Sequence, residues 1–150
     1  MKKLTHLDSR GEARMVDVSA KPVMQRTAVA RGEIRLQPST LKQIQAHTVA
    51  KGNVLAAARL AGIQAAKKTG ELIPLCHPLP LTHCEVLFNI PASADRIEIQ
   101  ASAKVAAPTG VEMEALAAVC LAALTIYDMC KAVDKTMTIT EVKLVSKTKR

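Results

Sequence analysis

The chain has 150 residues and a formal net charge of +8, with 21 Lys and Arg against 13 Asp and Glu. Its length implies one domain, and 49% hydrophobic residues can fill a core, although Phe88 and Tyr127 are the only aromatics and Trp is absent. The charge favours an anionic partner, while the lack of aromatics argues against an RNA or single-strand reader, which stacks bases on aromatic rings.

Residues 1–20 are polar and of mixed charge, so a flexible N-terminal arm is expected there, with a single domain over 21–150. Met1-Lys2-Lys3-Leu4 is followed by Thr5, His6, Asp8 and Arg10 rather than by an apolar run, so no secretory leader is expected. From Val23 to Leu36, β-branched and alternating residues predict a strand. Pro38-Ser39 opens a short helix reaching about His47.

Lys51-Gly52-Asn53 precedes a second helix, about Val54 to Lys68, with a broad apolar face of Leu55, Ala58, Leu60, Ala61 and Ile63. Lys67 and Lys68 suit its C-terminal dipole, and Gly70 is placed to stop it. Lys51-Gly52-Asn53 is either an exposed turn or an anion site made by free backbone N–H groups. Next comes LIPLCHPLPL, residues 72–81, whose three prolines forbid a helix or a central strand. Such an apolar, stiff loop must pack on something and so hold Cys76 and His77 in place. His77 is then either a buried structural histidine or a ligand contact. Adjacent Cys76-His77 and His83-Cys84 have the wrong spacing for zinc, so no metal is expected.

His83–Ile90 and Arg96–Val105 read as two strands joined by a short turn. The run from Ala115 to Tyr127 is apolar except for Thr125 and predicts a helix starting at a Thr109-x-x-Glu112 capping box. Apolar on all sides, it should be buried on all sides, as a core element and a subunit contact. No segment is expected to approach the length of a membrane span. Met137–Val145 alternates cleanly as a last strand. The predicted order is a ferredoxin-like α+β fold (βαββαβ), a four-stranded antiparallel sheet with helices packed on one face. The cysteines Cys76, Cys84, Cys120 and Cys130 read as free thiols of a cytoplasmic protein.

Charges cluster at the ends of the apolar helix. Glu114 and Asp128 are fourteen residues apart, which is about 21 Å along the axis at ~1.5 Å per residue. Either they serve different tasks or a second subunit completes a shared site. Glu112 is accounted for by the capping box, and Glu114 is either a solvated first-turn acid or a functional one. Asp128 and Lys131 form either an ordinary i,i+3 ion pair or an acid–base pair. In the second case, desolvation or neighbouring cations would lower the lysine pKa.

The blocks KGNVLAAARLAGIQAAKKTGELIPLCHPLPL and TGVEMEALAAVCLAALTIYDMCKAV, with Met15-Val16-Asp17-Val18, closely resemble the cyclic pyranopterin monophosphate synthases of molybdenum-cofactor biosynthesis. The resemblance implies a lyase that converts a cyclised GTP intermediate, with guanine C8 joined to ribose C3′, to cyclic pyranopterin monophosphate and pyrophosphate. It assigns Asp128, Lys51 and Lys131 to catalysis, the lysines as acid–base groups. It assigns Leu75, Cys76, His77, Glu112, Met113 and Glu114 to substrate binding, with Lys147 beyond the last strand and Arg26 at the phosphates. It implies a homohexamer, a trimer of dimers with sites between subunits, and no nucleic-acid or membrane partner. It names no certain cofactor and leaves open Mg²⁺ bound with the triphosphate substrate. Two departures are Asn53, where the family more often has Asp, and Lys147-Thr148-Lys149-Arg150, where it usually has a Gly-Gly-Lys-Ser tail. The alternative is a non-catalytic basic ferredoxin-like module that binds a nucleotide or RNA.

Overall fold

The computed structural model describes residues 6–150. Its elements are β1 (Met24–Arg35), α1 (Pro38–Gln45), α2 (Val54–Leu72), β2 (His83–Asn89), β3 (Arg96–Ala107), α3 (Glu112–Cys130) and β4 (Thr138–Lys149). The strands form one antiparallel sheet in the order β2-β3-β1-β4, and α2 and α3 pack on one side of it. This is the expected ferredoxin-like arrangement, with α1 as an extra helix after β1. The first five residues of the expected arm lie outside the described part. Within the rest of it, Leu7 bridges Ala13, and the Asp8 side chain accepts from the N–H groups of Arg10 and Glu12.

Alternation sorts each strand into two faces. Ala28, Ala30 and Ile34 on β1, with Ile97, Ile99, Ala101, Ala103 and Val105 on β3, are buried towards the helices. They meet Ala115, Ala118, Val119, Ala122 and Ile126 of α3. Small residues on both sides let helix and sheet approach closely. A Cβ added at Gly32 would lie 2.6 Å from Val119 Cγ1. Between the helices, a Cβ at Gly62 would sit 2.8 Å from the Ala118 carbonyl oxygen. Replacing Gly62 by Ala therefore overfills the α2–α3 contact. The gain in helix propensity offsets only part of the strain, so urea unfolding should show a net loss of about 1–2 kcal/mol.

Several local expectations change. α2 runs past Gly70 to Leu72. That glycine is a packing device rather than a stop, because a Cβ on it would lie 2.8 Å from Pro78 Cα and 3.0 Å from the His77 carbonyl oxygen. The proline-rich loop packs against α2 there. Asn53 caps α2 by accepting from the Ala56 N–H at 3.0 Å, a task that Asp would perform equally well. No capping box forms at α3, whose N-cap is Val111 with no side-chain bond.

α3 is not buried on every side. Met113, Cys120 and Leu124 form an exposed stripe, with Leu124 52% exposed. A helix layered on one face of a sheet keeps an outer surface, which the composition of α3 alone does not reveal. α3 is also long and apolar enough to pass as a membrane span by length and composition, contrary to expectation. Its inner residues pack on the sheet instead.

β4 runs to Lys149, four residues beyond the expected end, and it does not alternate cleanly. Register shifts fall opposite Val29/Ala30 and Arg31/Glu33 of β1. Each bulge inserts a residue and reverses the faces of those that follow. Lys147 and Lys149 are paired with Ala28 and Arg26, so they share the helix-facing side with Leu144, paired with Ala30.

Candidate active site

The charged residues singled out from the sequence form two groups at opposite ends of α3, a 19-residue helix. At the C-terminal end, Asp128 Oδ2 accepts from Lys51 Nζ at 2.9 Å and Oδ1 pairs with Lys131 Nζ at 2.8 Å. Lys51 Nζ also donates to the Asp128 carbonyl oxygen at 2.9 Å. Lys131 reaches the carboxylate because it is one helical turn away. Lys51 comes from the turn before α2, where Gly52 adopts φ +98, a conformation glycine takes without strain. That turn is thus an arm that delivers one ammonium to the end of α3.

The result is one carboxylate between two ammonium groups, all open to solvent. Lys131 and then Lys51, each bonded to the carboxylate, hold Asp128 down to about 2. Asp128 in turn raises the pKa of Lys131. The shift is opposite to the lowering expected from desolvation or cation neighbours, because the nearest charge to the lysine is an acid. At neutral pH Lys131 is a proton donor in this arrangement.

At the other end of α3, Glu112 and Glu114 are two residues apart but differ in environment. Glu112 Oε1 accepts from Lys147 Nζ at 2.9 Å. Burial alone would raise the Glu112 pKa, but Lys147 and, more weakly, Arg26 outweigh it and hold it low. Glu114 is 3% exposed, not solvated in the first turn. It lies on the same helix face as Ala115 and Ala118, a position that could have signalled its burial. Burial, aided by the charge of Glu112, raises its pKa. Two nearby carboxyls pushed in opposite directions are a common basis for separate acid and base roles. The Cys76 thiol is raised by burial and by the charge of Glu114, so the proline-rich loop approaches this end of α3.

Leu75, Cys76 and His77 are all half-buried. The His77 ring bonds through Nε2 to the Val16 carbonyl oxygen at 2.7 Å, which ties the loop to the segment ahead of β1. Met113 is exposed beside the two acids. Arg26 donates to the carbonyl oxygens of Ala107 and Pro108, at 3.4 and 3.1 Å, just before α3. Lys147 lies within β4 rather than beyond it. The fold therefore groups Arg26, Glu112, Glu114, Lys147 and the Cys76–His77 loop, and separately Lys51, Asp128 and Lys131. It does not bring the two groups together in one chain.

Sequence reasoning missed Asp134, which is 1% exposed. Its carboxylate accepts from Gln37 N–H at 2.8 Å, Thr40 Oγ1 at 3.1 Å, Thr136 N–H at 2.9 Å and Thr136 Oγ1 at 2.7 Å. This ties the turn after Lys131 to the start of α1. The Asp-x-Thr spacing just after a helix was the available signal.

Among the described residues, no three His, Cys, Asp or Glu side chains are gathered to hold a metal ion. A hollow of about 610 Å³ lies on the sheet, lined by Arg31, Glu33, Leu87, Glu98 and Gln100 among others. It contains none of the residues singled out, and its charges are already engaged. Arg31 bonds Gln100, while Glu33 and Glu98 pair with Arg96.

The fold and these charges define a class: a basic, ferredoxin-like α+β protein with acid–base groups at both ends of its core helix. A model of the MoaC family matches residues 15–150. The chain is 57% identical over 147 residues to a cyclic pyranopterin monophosphate synthase of Parvibaculum lavamentivorans, covering 98% of this chain and 92% of that protein. It is 58% identical over 144 residues to one from Chloroflexus aurantiacus, covering 96% and 88%. A third, cyclic pyranopterin monophosphate synthase 3 of Mycobacterium tuberculosis, is 59% identical over 144 residues, covering 96% and 81%. The chain belongs to the MoaC family.

Proposed function

We infer that this chain carries the activity for which its relatives are named, the synthesis of cyclic pyranopterin monophosphate. It is a lyase of molybdenum-cofactor biosynthesis, acting on a small molecule. The substrate is the cyclised GTP intermediate, and pyrophosphate leaves with the pterin product. The observation that carries this reading is the triad of Lys51, Asp128 and Lys131, drawn from segments 77 residues apart. Rebuilding a purine as a pterin needs repeated proton transfer, and expelling pyrophosphate needs charge stabilisation. A protonated lysine fixed by a carboxylate can supply both. Asp128 acts here as the group that orients and charges the two lysines. Glu112, Glu114, His77, Cys76, Leu75 and Met113 contact the substrate, and Arg26 and Lys147 lie towards its phosphates.

The alternative RNA-binding module has no support in the sheet. Such modules stack bases on the open face. Phe88 instead pairs with buried Ile99 on the helix side, and the Arg59 guanidinium lies over its ring, 5.5 Å from the centroid.

The same reading puts a complete site between two copies of the chain, within a hexamer built as a trimer of dimers. Two facts support it. The two groups of charged residues are separated by the length of α3, roughly 28 Å at 1.5 Å per residue. The outer side of α3 presents Met113, Cys120 and Leu124, and α2 presents Leu60, with no cover in a single chain. The four cysteines are free thiols, which supports a cytoplasmic setting.

Pyrophosphate release and pterin fluorescence after adding the cyclised GTP intermediate test the activity. A mixing experiment tests the shared site. Asp128→Ala and Glu112→Ala are each expected to be inactive. After the two are unfolded and refolded together, about a quarter of the sites would be intact if each is built from two chains. No recovery in a refolded mixture, with refolded parent protein active, would place the whole site within one chain.

A further inference from the structure

The end of β4 holds an arrangement of charge that folding alone does not favour. Gln25 and Arg150 exchange backbone hydrogen bonds in both directions, at 2.9 and 3.0 Å. The next pair along the ladder, Arg26 and Lys149, is therefore a non-hydrogen-bonded pair. Such pairs bring their side chains closest, with Cα atoms about 4.5 Å apart. Two cations directly opposite each other at this kind of position repel and destabilise the strand pairing.

Neither forms an ion pair with an acid among the described residues, although Glu112 lies near enough to Arg26 to feel its charge. Lys149 has no carboxylate within salt-bridge distance, and Arg26 is held by the carbonyl oxygens of Ala107 and Pro108 rather than by an acid. Lys147, two residues along on the same face, is already engaged by Glu112. The free positive charge beside the Glu112–Lys147 pair thus belongs to Arg26 and Lys149. The bulge in β4 is what turns Lys149 to this side.

We propose that Lys149, opposite Arg26, holds the terminal phosphates of the substrate and is a phosphate-binding residue of this chain. This rests on the reading of the chain as acting on a triphosphate, and it adds a residue to that site. An oligophosphate between the two side chains would replace their repulsion by two charge-assisted contacts. The terminal phosphates are those that leave as pyrophosphate, so the subsite would hold the leaving group.

The test uses the full chain and inorganic tripolyphosphate, followed by calorimetric titration. Lys149→Gln should bind it roughly ten-fold more weakly, as for loss of one hydrogen bond to a charged group. The unliganded variant should melt at the same or a higher temperature, because a repulsion is removed. Lys149→Arg should keep affinity close to that of the parent. Unchanged affinity in Lys149→Gln would overturn the proposal. So would equal losses in the Gln and Arg variants, which would mark a structural role. Tripolyphosphate binding that depends on Lys149, in a protein that does not turn over the cyclised GTP intermediate, would leave the subsite standing and sink the synthase reading.

Discussion

Asp128→Asn should lower turnover by about 10²–10⁴-fold, the range associated with loss of positioned acid–base chemistry, while the protein remains folded. The amide keeps the shape of the carboxylate and removes its charge. Lys51 and Lys131, each bonded to that carboxylate in the parent, would then repel each other. Stability should change little, because exposed ion pairs contribute little to folding.

The pH dependence gives a second readout. Asp128 has a depressed folded pKa of about 2. Its pairing is therefore complete above the unfolded carboxyl range and is lost as pH falls towards 2. Lys131 has a raised folded pKa, so its charge is complete below the unfolded lysine value and is lost only as pH rises through the higher folded value. Both ion pairs thus persist across the neutral range. In Asp128→Asn the support for Lys131 disappears, and the alkaline limb of the pH–rate profile should move to lower pH. Lys51→Ala and Lys131→Ala should match the loss of turnover. Near-normal turnover in all three variants would remove the triad from the mechanism. Loss of thermal stability in Asp128→Asn would instead make the carboxylate structural.

Asp134→Ala should cost about 2–4 kcal/mol of folding stability, read as a shift in the urea midpoint with unchanged slope. The carboxylate is buried and accepts from Gln37, Thr40 and Thr136. Alanine would leave those donors without this partner, and the Thr40 hydroxyl among them is buried away from water. Burial by itself would raise the pKa of Asp134, but the bonds from Gln37, Thr136 and Thr40 outweigh it and hold it low. A depressed folded pKa means stability that is complete above the unfolded carboxyl range and lost as pH falls through the lower folded value. The difference between parent and Asp134→Ala should therefore narrow in strong acid. A cost below about 1 kcal/mol would mean that the freed donors find other partners.

Much of the site was legible because its residue types are conspicuous. A charge bordering a long apolar run stands out, so Asp128 and Lys131 were visible as a pair one turn apart. Lys51 was visible only as an ambiguous turn, and its place at Asp128 needed the packing of α2 on α3. Glu112 read as a cap because capping boxes are local patterns. It makes no capping box because the helix starts later, with Val111 as its N-cap, and its carboxylate goes to Lys147, 35 residues away. Glu114 and Asp134 were undervalued for a related reason. Burial is a property of neighbours, and acids near helix ends are normally solvated.

The sequence by itself determined the element order, the antiparallel α+β architecture and the inner faces of the strands, because hydrophobic period and turn residues are local signals. The matching blocks also identified the family. Tertiary structure alone decided which charges meet, which side of α3 stays uncovered and where Lys147 and Lys149 point. The lysines show the reason most clearly. Simple alternation from Leu144 would send both to the open face of the sheet. One extra residue at the bulge beside Val29/Ala30 turns them towards α3. A bulge is set by how two strands fit together, so neither strand's sequence encodes it alone.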